Sequence, residues 1–96
     1  MNLSVIIPCY NEWNSIEQVV QAVVDAIGPD GEIIIVDDCS TDGTRALLEQ
    51  NIDGKSARVI YQDKNQGKGA ALRAGFAAAS KSIVIVQDAD FEYDPQ

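Results

Sequence analysis

A recurring change of hydrophobic period limits the folds open to this sequence. Short runs of mostly branched apolar residues, "LSVIIP", "EIIIV", "ARVIY" and "SIVIV", alternate with polar loops and helical stretches. Runs of this length, rich in Val and Ile, read as strands buried on both faces. Between the first two lie Ile16, Val19, Val20, Val23, Val24 and Ile27, a spacing that puts all six on one stripe of an amphipathic helix. Ser15 with Gln18 is expected to form its capping box, and "GPDG" to stop it.

The unit repeats. After "EIIIV" comes the loop "DDCSTDGT" and a helix expected from about Thr44 to Gln50, carrying Ala46, Leu47 and Leu48. After "ARVIY" and the loop "QDKNQGKG", a third helix is expected to pack through Leu72, Gly75, Phe76 and Ala79, its alanines keeping that packing close. Alternation of this kind implies an α/β fold, a parallel sheet with helices on both faces. Right-handed crossovers and a switch beside the first strand predict a doubly wound, Rossmann-like sheet of order 3-2-1-4. Ligands bind such sheets beyond the carboxyl ends of the strands. Those ends are "PCYNE", "DDCSTD", "QDKNQGKG" and "DADFEYD".

Ninety-six residues fit one domain, and 46% hydrophobic content with few aromatics places it among globular chains. No apolar run approaches the roughly 18 residues of a membrane span, and no basic leader precedes a cleavage site. A cytoplasmic location is expected. A formal charge of -8 argues against nucleic acid or an anionic membrane surface as partner, since both demand clustered Lys and Arg. An anionic ligand would therefore need a cation. Cys9 and Cys39 fit no zinc pattern, and His is absent. Reduced thiols on neighbouring strands are expected.

The acids after "SIVIV" carry the sharpest signal. In an extended chain alternate side chains share a face, so Asp88, Asp90 and Glu92 converge. Three gathered carboxylates repel unless neutralised, and hard oxygen ligands suit Mg2+ or Mn2+ with positions left for substrate phosphates. A solvated acidic loop is the plain alternative; a second acidic pair after the second strand favours the metal. In that pair one carboxylate can accept from a base N–H or a ribose hydroxyl while its neighbour fixes the loop. Helix capping is the role expected of Ser40, Thr41 or Asp42. Tyr10 offers a flat face for a nucleobase, with Pro8 stiffening the exit and Asn11 and Glu12 polar at the mouth. "NQGKGAAL" is neither a Walker loop nor a dinucleotide fingerprint, because Gln62, Gly69 and Leu72 occupy the deciding positions. Lys68 and Arg73 can still face an anionic ligand.

"SVIIPCYNE", "IIIVDDCSTDGT", "NQGKGAALRAG" and "VQDADFEYDP", in this order, resemble the amino-terminal half of a family 2 glycosyltransferase of the GT-A fold, nearest to the dolichyl-phosphate mannose synthase-like and polyprenyl-phosphate group. The resemblance implies a donor subdomain over residues 1–96 that binds a nucleotide-diphospho-sugar, of the UDP-glucose or GDP-mannose class. It implies that Pro8, Tyr10 and Glu12 surround the base together with Val36 and Asp38. It further implies that Asp88, Ala89 and Asp90 form a D-x-D motif against ribose and diphosphate, with Mg2+ or Mn2+ held by Asp88, Asp90 and Glu92. Inverting hexosyl transfer to an acceptor such as polyprenyl phosphate would follow, with the acceptor pocket and general base outside this chain and the parent at the cytoplasmic face of a membrane. The isolated chain is then expected to be inactive, and an unpaired edge on the fourth strand to drive self-association. Cys39, Trp13 and "SKS" before the fourth strand depart from the family pattern. The reading from another class is a non-catalytic nucleotide-binding or assembly module. Another doubly wound enzyme, a methyltransferase or a phosphoacceptor regulator, fits less well, the first needing no metal and the second an acidic pair after the first strand.

Overall fold

The computed structural model describes residues 2–89. The elements follow in the order β1 (Leu3–Cys9), α1 (Ile16–Ile27), β2 (Glu32–Asp37), α2 (Thr44–Asn51), β3 (Arg58–Tyr61), α3 (Lys68–Ala78) and β4 (Ile83–Val86). All pairings are parallel, and the sheet order is β3-β2-β1-β4, as the alternation of periods predicts.

Register sorts the core onto two faces. Val5 lies between Ile33 and Ile85, and Ile35 beside Val59, so these side chains point to one side. There Val5, Ile7, Ile33 and Ile35 meet Ile16, Val19, Val20, Val23 and Ile27 of α1, with Leu48 and Ile52 from α2 and its end. The α1 stripe is thus buried as its spacing requires, only Val24 remaining partly exposed. Each side chain so buried contributes about 1.5–3 kcal/mol. On the opposite face Ile6, Ile34 and Val36 pack against Ala71 of α3.

Two helix faces differ from expectation. In α3 Gly75 is buried and Leu72 and Ala79 pack against the cluster around Ile6, as expected, but Ala71 is buried with them and Phe76 is 49% exposed. The reason is close approach: a Cβ on Gly75 would sit 2.4 Å from Ile6 Cγ2, so the seam consists of the smallest side chains and the large one is turned away. In α2 Leu48 is buried and Leu47 packs against the core, as expected, but Thr44 is buried and Ala46 exposed. Ser15 also departs from the capping-box expectation, since its hydroxyl makes no cap hydrogen bond.

β4 pairs with β1 on one side only, and all four of its residues are exposed. The unpaired edge expected of the fourth strand is present among the described residues. No helix of the described residues is long and apolar enough to cross a membrane.

Candidate functional site

The carboxyl ends of β1, β2 and β4 and the start of α3 enclose a cavity of about 310 Å3. Pro8, Tyr10 and Glu12 reach it from the exit of β1, Asp38 from that of β2, Lys68 from α3, and Asp88 and Ala89 from beyond β4. Seven positions singled out in the sequence therefore meet in one place. Val36 does not join them, because its side chain is fully buried in the core against the α3 face. Arg73 is exposed and outside the lining. Asp90 and Glu92 lie outside the described residues.

Ladder bonds carry the sheet into the site. Asp38 N–H donates to the Cys9 carbonyl at 2.8 Å, Gln62 N–H to the Asp37 carbonyl at 2.9 Å, and Gln87 N–H to the Ile6 carbonyl at 2.9 Å. The loops above are stitched together by Asn11, whose backbone N–H donates to Ser40 Oγ at 2.9 Å and whose Oδ1 accepts from Thr41 N–H at 2.7 Å. Nothing in the linear sequence marks this stitch, since its partners lie about 30 residues away.

The acidic pair divides its work. Asp37 is fully buried; it accepts from Ser40 N–H and Oγ–H at 3.2 and 2.5 Å and meets Arg45 Nε at 3.4 Å. Arg45 in turn lies over the Tyr61 ring, 5.1 Å from its centroid, and donates to the Gln62 carbonyl at 2.9 Å. Asp37 is therefore the member that fixes the loop. Of the three residues expected to cap α2, Ser40 is engaged by Asp37 and Thr41 by Asn11, leaving Asp42 to accept from Thr44 N–H at 3.0 Å and from the Thr44 hydroxyl. Desolvation raises the Asp42 carboxyl, but these bonds outweigh it and hold it below its ordinary range.

Asp38, 5% exposed, accepts from Gln66 N–H at 2.8 Å through Oδ1 and from Gly67 N–H at 2.9 Å through Oδ2. A carboxylate here satisfies orphan donors and the positive end of the helix dipole at the start of α3. Each oxygen keeps acceptor capacity for a ligand. From that anchored start, Lys68 Nζ reaches Asp88 Oδ1 at 3.0 Å. Ser15, read from sequence as a cap, instead donates from Oγ to the Ala89 carbonyl at 2.8 Å, which ties the backbone at Ala89 to the residue preceding α1.

Cys9 and Cys39 are free thiols. Burial, reinforced by Asp37 and Glu12, pushes the Cys9 thiol up to about 12, so it is protonated and inert at neutral pH. Cys39 has φ 62°, a left-handed conformation that costs a side chain about 1–2 kcal/mol and that Gly or Asn adopts more easily.

Among the described residues no three His, Cys, Asp or Glu side chains are grouped to hold a metal. Asp88 nevertheless fits a divalent ion in chemistry: it is a hard oxygen donor, and a cation, the Lys68 ammonium, already stands at its oxygen.

A doubly wound sheet with acidic groups and a cation at its carboxyl edge belongs to the α/β class whose ligands bind beyond the strand ends. The Glycosyl transferase family 2 model matches residues 4–96, and the chain belongs to that family. It is 35% identical over 97 residues to a dolichol-phosphate mannosyltransferase of Pyrococcus furiosus, covering 100% of this chain and 28% of that protein. Among solved structures it is similar to the mannosyltransferase PcManGT from Pyrobaculum calidifontis in complex with GDP-Man and Mn2+, at TM-score 0.82 and 30% identity over 93% of this chain and 27% of that one. The TarS 1–349 structure from S. aureus in complex with UDP-GlcNAc gives TM-score 0.81 and 29% identity, over 94% of this chain and 27% of that one. The chain thus spans less than a third of the length of these proteins. Its four-stranded sheet is a GT-A sheet.

Proposed function

We propose that this chain, residues 1–96, is the donor-binding subdomain of a glycosyltransferase that transfers a hexose from a nucleotide-diphospho-sugar with inversion. The observation that carries the reading is the meeting of Tyr10, Asp38, Lys68 and Asp88, from four different element ends, around one cavity. Nucleotide sugars of both bases in similar structures support it.

Tyr10, 46% exposed, offers its ring to the base. Glu12 and Asp38 accept from base N–H or ribose hydroxyl groups. Lys68 pairs with the diphosphate. Asp88, with Asp90 and Glu92, would hold Mg2+ or Mn2+, which would supply Lewis-acid stabilisation of negative charge on the diphosphate. The acceptor, a polyprenyl phosphate in this reading, is anionic already and asks little of a general base. The chain covers less than a third of the relatives it matches, and donor binding is the activity proposed for it. The open edge of β4 pairs with a second copy.

Calorimetric titration of the chain with UDP and GDP, with and without Mn2+, tests this. Binding is expected to need the metal and to weaken at least tenfold in Asp90→Asn, as loss of a charged donor to the ion implies. Equal binding with and without metal, or by the variant, would sink the metal-dependent reading. A second reading is a nucleotide-binding or assembly module without chemistry; no glycosyl transfer on adding a complementary carboxyl-terminal half would select it.

A further inference from the structure

Among the described residues lining the cavity, Lys68 is the one cation, facing the carboxylates of Glu12, Asp38 and Asp88. One positive and three negative groups leave a lining charge of -2. An arriving diphosphate is repelled unless this balance changes. The stem of Lys68 is fixed, because it begins α3 directly after the two N–H groups that Asp38 accepts. Its head is not fixed. The Lys68 side chain is 61% exposed and that of Asp88 is 51%, and an exposed pair of this kind is weak enough to exchange partners.

Resting on the donor reading above, we propose that Lys68 is a stand-in cation for the metal: it neutralises Asp88 in the unliganded site, yields that carboxylate to a divalent ion, and moves its ammonium onto the diphosphate. A divalent ion and the Lys68 ammonium held at one carboxylate repel each other, since like charges a few ångströms apart raise each other's energy. A metal binding alone therefore weakens the Lys68–Asp88 pair. A nucleotide binding alone must draw Lys68 from Asp88 and leave that carboxylate unpaired beside an anion. When both bind, neither cost arises, so metal and nucleotide bind with positive coupling, part of which Lys68 carries.

Mn2+ titration of the wild-type chain and Lys68→Gln, reading unbound Mn2+ by its electron paramagnetic resonance signal, tests this with and without UDP or GDP. Circular dichroism checks that the exposed substitution leaves the fold intact. Without nucleotide, Lys68→Gln is expected to bind Mn2+ roughly two- to fivefold more tightly than wild type, the range of an exposed ion pair. With Mn2+ saturating, its nucleotide affinity falls, and the tightening of Mn2+ by nucleotide is smaller than in wild type. Lys68→Arg, which keeps the charge, retains the coupling. Unchanged or weaker Mn2+ binding by Lys68→Gln, with wild type still binding nucleotide, overturns the stand-in role and leaves the donor reading in place. Tighter Mn2+ binding by the variant with no nucleotide bound by either protein overturns the transfer to diphosphate and the donor reading with it.

Discussion

Glu32 illustrates how much a single side chain can hold. Its Oε2 accepts from Ser4 Oγ–H at 2.5 Å, Ser80 N–H at 2.6 Å and Ser80 Oγ–H at 2.8 Å, and Ser4 Oγ accepts in turn from Lys81 N–H at 3.1 Å. The "SKS" segment, a departure from the family pattern, is thereby tied to the starts of β1 and β2. Desolvation raises the Glu32 carboxyl, but the bonds from Ser4 and Ser80 outweigh it and set it below its ordinary value. A carboxyl depressed in the folded state stabilises above its unfolded value of about 4.3, and that stability is lost as pH falls through the folded value. Glu32→Gln is therefore expected to cost about 1 kcal/mol at pH 7, with the gap from wild type closing as pH drops below about 4. Urea unfolding at stepped pH measures it, and a gap independent of pH would refute the assignment.

At the scale of elements, α3 shows why small residues matter. Gly75 allows the helix to approach Ile6 so closely that a Cβ would stand 2.4 Å from Ile6 Cγ2. That atom branches from a fully buried strand residue and cannot swing aside. Gly75→Ala gains about 1 kcal/mol of helix propensity but overpacks the seam by about 1–3 kcal/mol, so a net loss of about 1 kcal/mol is expected by chemical denaturation. Because the clash is with one side chain, Ile6→Ala and Gly75→Ala should be non-additive, the double variant losing less than the two singles together. Additive losses would mean that the helix shifts instead. Any such shift would also move Lys68 away from Asp88, linking packing to the site.

At the scale of the whole molecule, the sheet is covered in the middle and, among the described residues, bare at one side. Ile83, Val84, Ile85 and Val86 are 55%, 39%, 44% and 44% exposed on a strand with an unpaired edge. Such an edge templates further pairing, while a charge of -8 opposes the approach of a second copy and is screened by salt. At roughly tens of micromolar the chain is expected to sediment as a dimer or larger species, more so at high salt, and Ile85→Lys to return it to monomer. A clean monomer for wild type at both salt concentrations would refute the edge pairing.

Element order, the parallel sheet, its 3-2-1-4 arrangement and the buried face of α1 follow from the sequence by itself. They rest on local periodicity: branched apolar runs and a stripe of six aliphatics leave few ways to bury their surfaces. The convergence of Tyr10, Asp38, Lys68 and Asp88 was also legible, because strand ends in a doubly wound sheet must share one edge. The seam of α3 was legible only in part: Leu72, Gly75 and Ala79 pack on the Ile6 face as their spacing implies, but Ala71 was missed and Phe76 misplaced, since a helix of alanines and glycines has little hydrophobic contrast between its faces. The partners of Ser15, Asp38 and Lys68, which lie 74, 29 and 20 residues away, were not legible. Only the tertiary structure decides such contacts, because a hydroxyl, a carboxylate or an ammonium bonds whatever group the packed elements bring within about 3 Å.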